Sequence, residues 1–185
     1  MPGAVSEYLA SAVVVRRSRA RTHDLVLRVL TREGAVLARY VRNGRSSQRR
    51  LAGLDNGFGI SEIRWSHDST SGNGSLCGIE SHRPATWLAD ARAYAWYCAL
   101  IELLAHELQP GMHDERLAAM VHGVLAGDQG PGLGDFVAAL SLLGHCPPGA
   151  VALEAIGQLV RDRLGLRAPF LQLALATHSA SLEMA

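Results

Sequence analysis

Residues 13–41 read VVVRRSRARTHDLVLRVLTREGAVLARYV, and this stretch decides how the chain folds. Residues 13–19 begin β-branched and turn basic, as a strand does when it leaves a core for solvent. After a polar link at 20–23, residues 24–31 set Leu25, Leu27 and Val29 against Val26, Arg28 and Leu30, an alternation that predicts a strand with Arg28 outward. Arg32-Glu33-Gly34 has the composition of a tight hairpin turn in which Gly34 takes positive φ, and residues 35–41 form the returning strand.

Working outward from this hairpin, residues 42–50 mix Gly, Asn and Ser with four arginines and form a basic loop. Residues 57–65 and 75–81 read as a fourth and a fifth strand around a polar turn at 67–74. Five short strands in meander order suit a small barrel of oligonucleotide-binding (OB) type. Pro84 marks a change of period, from two to 3.6. Thr86 is a plausible N-cap for a long helix over 87–108, apolar nearly all round and therefore central, which places Tyr94, Cys98 and Ile101 in its core. Further helices are expected over 114–126, 135–143 and 150–164, with one more apolar turn or two at 170–176. The reading is α+β: an OB-type barrel over residues 1–83, then an all-helical domain over 84–185.

Charge is distributed unevenly. Residues 16–50 hold eleven arginines against Asp24 and Glu33, a local charge of +9 in a chain whose total is +1, so the remainder sums to −8. A local positive footprint suits a polyanion without making the whole molecule adhesive, and nucleic acid is the first candidate. The alternative is a solvated sheet face, although such faces usually mix both signs. All eighteen basic residues are arginine, whose planar fork fits phosphate and whose flat face stacks on bases; a global bias toward Ala, Gly and Arg would produce the same usage. The expected DNA contacts are Arg16, Arg17, Arg19, Arg21, Arg39, Arg42, Arg45, Arg49 and Arg50.

Other chemistry finds little support. His106-Glu107 resembles the start of a zinc-protease helix, but Pro110 stands where the second histidine belongs. Gly130, Gly132 and Gly134 make a GxGxG run with no strand before it and no lysine after it, so it reads as a linker rather than a phosphate loop. His113, Asp114 and Glu115 more naturally cap the second helix than bind metal. Cys77, Cys98 and Cys146 are far apart and lack CxxC spacing, which argues against a disulfide framework or a structural zinc. No catalytic constellation emerges, and no enzyme, cofactor or metal is expected. The N-terminus lacks a basic segment before its apolar run, and the apolar run near 93–101 is too short for a bilayer, so a cytoplasmic protein without membrane contact is expected.

The order of these features resembles the RecO family of bacterial recombination mediators. The similar parts are the VVVRR strand, the strand running into Leu30-Thr31-Arg32-Glu33-Gly34, and the basic loop Val41-Arg42-Asn43-Gly44-Arg45-Ser46-Ser47. Leu76-Cys77-Gly78-Ile79-Glu80, the helix Ala93-Tyr94 … Ile101-Glu102-Leu103-Leu104 and FVAALSLLGHCP at 136–147 follow in the same order. The resemblance implies binding and annealing of single- and double-stranded DNA and help in loading RecA onto DNA coated by single-strand-binding protein, with RecR and single-strand-binding protein as partners. Paired CxxC motifs that some members carry are absent here, Cys146 standing alone, and the chain is shorter than usual for the family. A competing reading from another class is an adaptor whose arginine loop holds an acidic protein tail.

Overall fold

The residues described by the computed structural model are 5–44, 58–68, 74–146, 153–164 and 169–183. The alternating segments form strands β1 (Val5–Arg19), β2 (Leu25–Thr31), β3 (Val36–Val41), β4 (Gly59–Asp68) and β5 (Gly74–Pro84). After a 3-10 turn at Thr86–Ala89 come α1 (Ala91–Glu107), α2 (Glu115–Ala126), α3 (Leu133–Leu142), α4 (Leu153–Leu164) and α5 (Pro169–Glu183). The chain is α+β, and its five strands close into a ring.

The ring is not the meander that strand spacing suggests. Its order is β1-β2-β3-β5-β4. The cause is the length of β1, which is twice what the VVVRR pattern marks out. Its first half pairs with β4, from Val5↔Asp68 to Ala12↔Ser61. Its second half pairs with β2, from Ala12↔Thr31 to Arg19↔Leu25, with a register shift between Val14 and Arg16. On the other side β3 meets β5 in parallel, at Tyr40↔Ser75. One long strand shared between two neighbours closes the sheet and leaves fewer open edges to protect.

Period-two alternation fills the interior. Ala12, Val14, Leu25, Leu27, Val29, Val41, Ile63, Trp65 and Leu76 form one buried cluster. Each fully buried Val or Leu contributes about 1.5–3 kcal/mol relative to an exposed one. The Arg32-Glu33-Gly34 turn forms as expected: Gly34 donates to the Thr31 carbonyl and sits at φ 98°. A Cβ there would also lie 2.7 Å from the backbone of Asp114 and Glu115, so glycine is required twice over.

That close approach explains why the division of the chain is not sequential. It forms two compact units, Met1–Ala85 with Leu108–Ala126, and Thr86–Glu107 with Gly127–Ala185, so α2 belongs with the ring rather than with the other helices. The first half of β3 has backbone groups that β5 does not reach. They are satisfied by the segment before α2: Val36 donates to Met112, Gly111 to Val36 and Asp114 to Gly34. Asp114 then caps α2, its carboxylate accepting from the Leu117 amide, and the His122 ring approaches the Leu30 carbonyl at 3.4 Å.

In the second unit the first helix starts later than expected. Asp90, not Thr86, is its cap, since the Asp90 carboxylate accepts from the amides of Arg92 and Ala93. The buried face of α1 is Ala93, Trp96, Tyr97, Leu100, Leu103 and Leu104, whereas Tyr94 is exposed and Ile101 only half-buried; Cys98 is buried as expected. A helix apolar on all sides offers no periodicity to choose a face, and the largest side chains took it: Trp96 packs on Phe136 and Tyr97 on Trp87. Gly130 of the GxGxG run lies at φ 68° with its Cβ direction 2.6 Å from the Trp87 ring, a packing requirement. The tail, expected to hold a turn or two, is the 15-residue helix α5.

Candidate nucleic acid interface

The basic surface is built at one end of β1, β2 and β3. The ladders place Arg16 opposite Arg28 and Ser18 opposite Val26, while Arg17 and Arg19 stand opposite Leu27 and Leu25. Neighbours directly across an antiparallel ladder share a face, so the arginines of β1 project from both faces of the β1–β2 pair. Arg21 lies in the loop between these strands, and Arg42 follows β3, whose Val41 pairs with Leu25. Arg16, Arg17, Arg19, Arg21 and Arg42 are all exposed. Arg45, Arg49 and Arg50 lie outside the described residues.

Asp24 organises this end. Its carboxylate accepts from the Tyr40 hydroxyl and, at 2.8 Å, from the Asn43 amide, which ties the β1–β2 loop to the residues after β3. The Tyr40 hydrogen bond, then the Asn43 amide, hold the Asp24 carboxyl below the usual carboxylate range, with Arg21 and Arg42 adding to the effect against the opposing influence of burial. Asn43 takes φ 54° at the turn. The result is a preorganised corner carrying Arg19, Arg21 and Arg42 around one already committed carboxylate.

Arg28 and Arg39 differ from the rest. The Arg28 guanidinium donates to the Leu108 carbonyl, and burial, then the nearby Arg16 charge, push its pKa down. Arg39, expected on the phosphate-facing display, stands opposite buried Leu27 and turns over the Trp65 ring at 5.0 Å. It is half-buried, its pKa is lowered by burial, and its Nε has no hydrogen-bond partner among the described residues.

By contrast, Arg64 on β4 is held between Glu7 and Glu80 at 3.2 and 2.8 Å. Arg16, Arg19, Arg21 and Arg42 make no ion pair among the described residues. Those arginines are therefore available to an external anion and Arg64 is not. Tyr8 and Trp65, a directly opposed pair on β1 and β4, lie elsewhere on the ring, with Arg39 over the Trp65 ring, and escaped sequence reasoning. No local pattern joins residues so distant in sequence; only knowledge of the β1–β4 register would have found them.

Among the described residues no group of His, Cys, Asp and Glu side chains is placed to hold a metal ion, and no helix is long and apolar enough to cross a membrane. Cys77, Cys98 and Cys146 form no disulfide among the described residues. His106 is spent on Glu107, at 2.8 Å. The chain matches no family model and no curated protein.

Proposed function

We propose that this protein binds DNA through the arginines at the end of β1, β2 and β3, and that it serves in recombinational repair as a RecO-like mediator. In this reading it anneals complementary strands and assists RecA loading onto DNA coated by single-strand-binding protein, with RecR and single-strand-binding protein as partners. It acts by binding, with no catalytic step of its own. The observation that carries the reading is the group Arg16, Arg19, Arg21 and Arg42, exposed and without ion pairs among the described residues, beside a carboxylate that is already engaged.

The strand order supports it. A five-stranded ring in which β1 is shared between β2 and β4 has the connectivity we read as an OB-fold, whose β2–β3 face and loops after β1 and β4 bind oligonucleotides. Here the loop after β1 carries Arg21. The order of sequence features shared with the RecO family supports the repair role in particular.

The test is a fluorescence-anisotropy titration with single-stranded and duplex oligonucleotides over a range of salt, with poly-glutamate as competitor. Bound phosphates release condensed counterions, so log affinity falls linearly with log salt, by roughly 0.7 per phosphate on single strands and roughly 0.9 on duplex. Affinity also grows with oligonucleotide length. Binding that is independent of salt and length, with displacement by a few glutamates, would replace this reading with an adaptor for an acidic tail.

A further inference from the structure

Tyr8 and Trp65 stack with ring centres 6.0 Å apart and planes 21° from parallel. Their exposure is unequal. Trp65 is 8% exposed, while Tyr8 keeps 47% and its neighbour Leu9 61%. Arg39 lies over the Trp65 ring, so the three side chains form an aromatic and cationic wall. Beside it opens a cleft of about 430 Å³ lined by Tyr8, Leu9, Leu37, Arg39 and Trp65, with Thr31 and Glu33 also on its wall. That volume lies within the range of small-molecule sites, roughly 300–1,000 Å³.

Three features define what this cleft accepts. The half-open Tyr8 ring offers a flat apolar surface already backed by a second aromatic. The Arg39 Nε, buried and without a partner among the described residues, calls for a hydrogen-bond acceptor. Glu33 and Arg39 on the same wall offset each other in charge, so the cleft carries no net charge that would favour a phosphate or an acidic side chain. A flat, uncharged heteroaromatic ring with acceptor atoms satisfies all three. Arg39 itself is the cation of this wall, three residues before Arg42 in the chain.

We propose that the cleft holds one unpaired base of a single nucleic acid strand, stacked on Tyr8 and hydrogen-bonded by Arg39, and thereby selects single strands over duplex. The assignment rests on the DNA-binding reading above and deepens it. A paired base has both faces stacked within the helix and reaches such a site only by unstacking, which costs free energy that a single strand does not spend.

The experiment compares three probes of equal length by anisotropy: a base-bearing single strand, a strand of abasic sites, and a duplex. The parental protein should bind the base-bearing strand about 5- to 100-fold more tightly than the abasic strand, the usual worth of one base stacked on an aromatic ring. Tyr8→Ala should remove that difference, leave abasic and duplex affinities and the salt slope unchanged, and keep the parental thermal midpoint, since Tyr8 is half exposed. Tyr8→Phe should restore it. Equal parental affinity for base-bearing and abasic strands, or a Tyr8→Ala protein that still tells them apart as the parent does, overturns the base site and leaves the arginine reading standing. A parental protein with no salt-dependent DNA binding overturns both.

Discussion

Arg64 and Arg16 belong to the same closed sheet and meet opposite treatment. On β4, Arg64 lies between strands that each supply a carboxylate, Glu7 from β1 and Glu80 from β5, and its charge is neutralised in place. On β1, Arg16 faces Arg28 across the ladder, and the carboxylate that organises this end, Asp24, is occupied by Tyr40 and Asn43. Like charges directly opposed on a sheet are unfavourable, so this end carries electrostatic repulsion that an anion would relieve. Counting arginines does not separate the two cases. Register does.

The largest expected effect follows from removing the unpaired set. Arg16→Ala, Arg19→Ala and Arg42→Ala together should weaken DNA binding about a hundredfold near 0.1 M salt and flatten the salt slope by about two to three units, without loss of thermal stability. An unchanged slope would show that these arginines only decorate the surface. The comparison sharpens in the other direction if Arg64 is released. Glu7→Gln with Glu80→Gln should add one available cation and steepen the slope by less than one unit, raising affinity about fivefold at most; an unchanged slope and affinity would mean that Arg64 lies off the path of the strand.

The Asp24 carboxyl has a folded pKa below its unfolded value, so its contribution is present above about pH 4 and is lost as pH falls through the folded value. His122, whose pKa is lowered by burial, works in a higher window: its stabilising effect is full above about pH 6.5 and declines as pH falls below it. Denaturation midpoints against pH should therefore fall in two stages, with Asp24→Asn reducing the lower one, to which Glu107 also contributes, and His122→Gln reducing the upper. His82, also lowered by burial, keeps part of the upper stage in that variant. A single unaltered stage in both variants would contradict these assignments. The smallest effect is Arg64→Ala, which should leave DNA affinity and salt slope as they are and cost little stability, as exposed ion pairs usually do; a clear drop in affinity would erase the distinction from Arg16.

Much of the ring was legible because alternation is a local property. Leu25, Leu27 and Val29 face inward as their spacing requires, and Gly34 sits at its turn. The pairing of β1 with β4 was hidden, since Glu7-Tyr8-Leu9-Ala10 has no clean alternation and becomes a strand through its partner. The surroundings of Arg39 were hidden for a related reason. Its neighbours Leu37 and Val41 share its parity, but nothing local tells that Trp65 lies on the same side. In α1, Tyr94 and Trp96 have equal claims on the core by composition, and only packing against Phe136 decided between them.

The sequence alone determined the elements and the uneven charge: β-branched alternation, turn glycines, a change of period at Pro84, and arginines gathered in residues 16–50. These follow from backbone sterics and side-chain transfer between water and core, which act over a few residues. The tertiary structure decided the strand order, the membership of α2 in the ring, the clamping of Arg64 and the stacking of Tyr8 on Trp65. Each depends on residues far apart in sequence meeting at a fixed register, and register is settled by how the whole core and all its backbone hydrogen bonds are satisfied together.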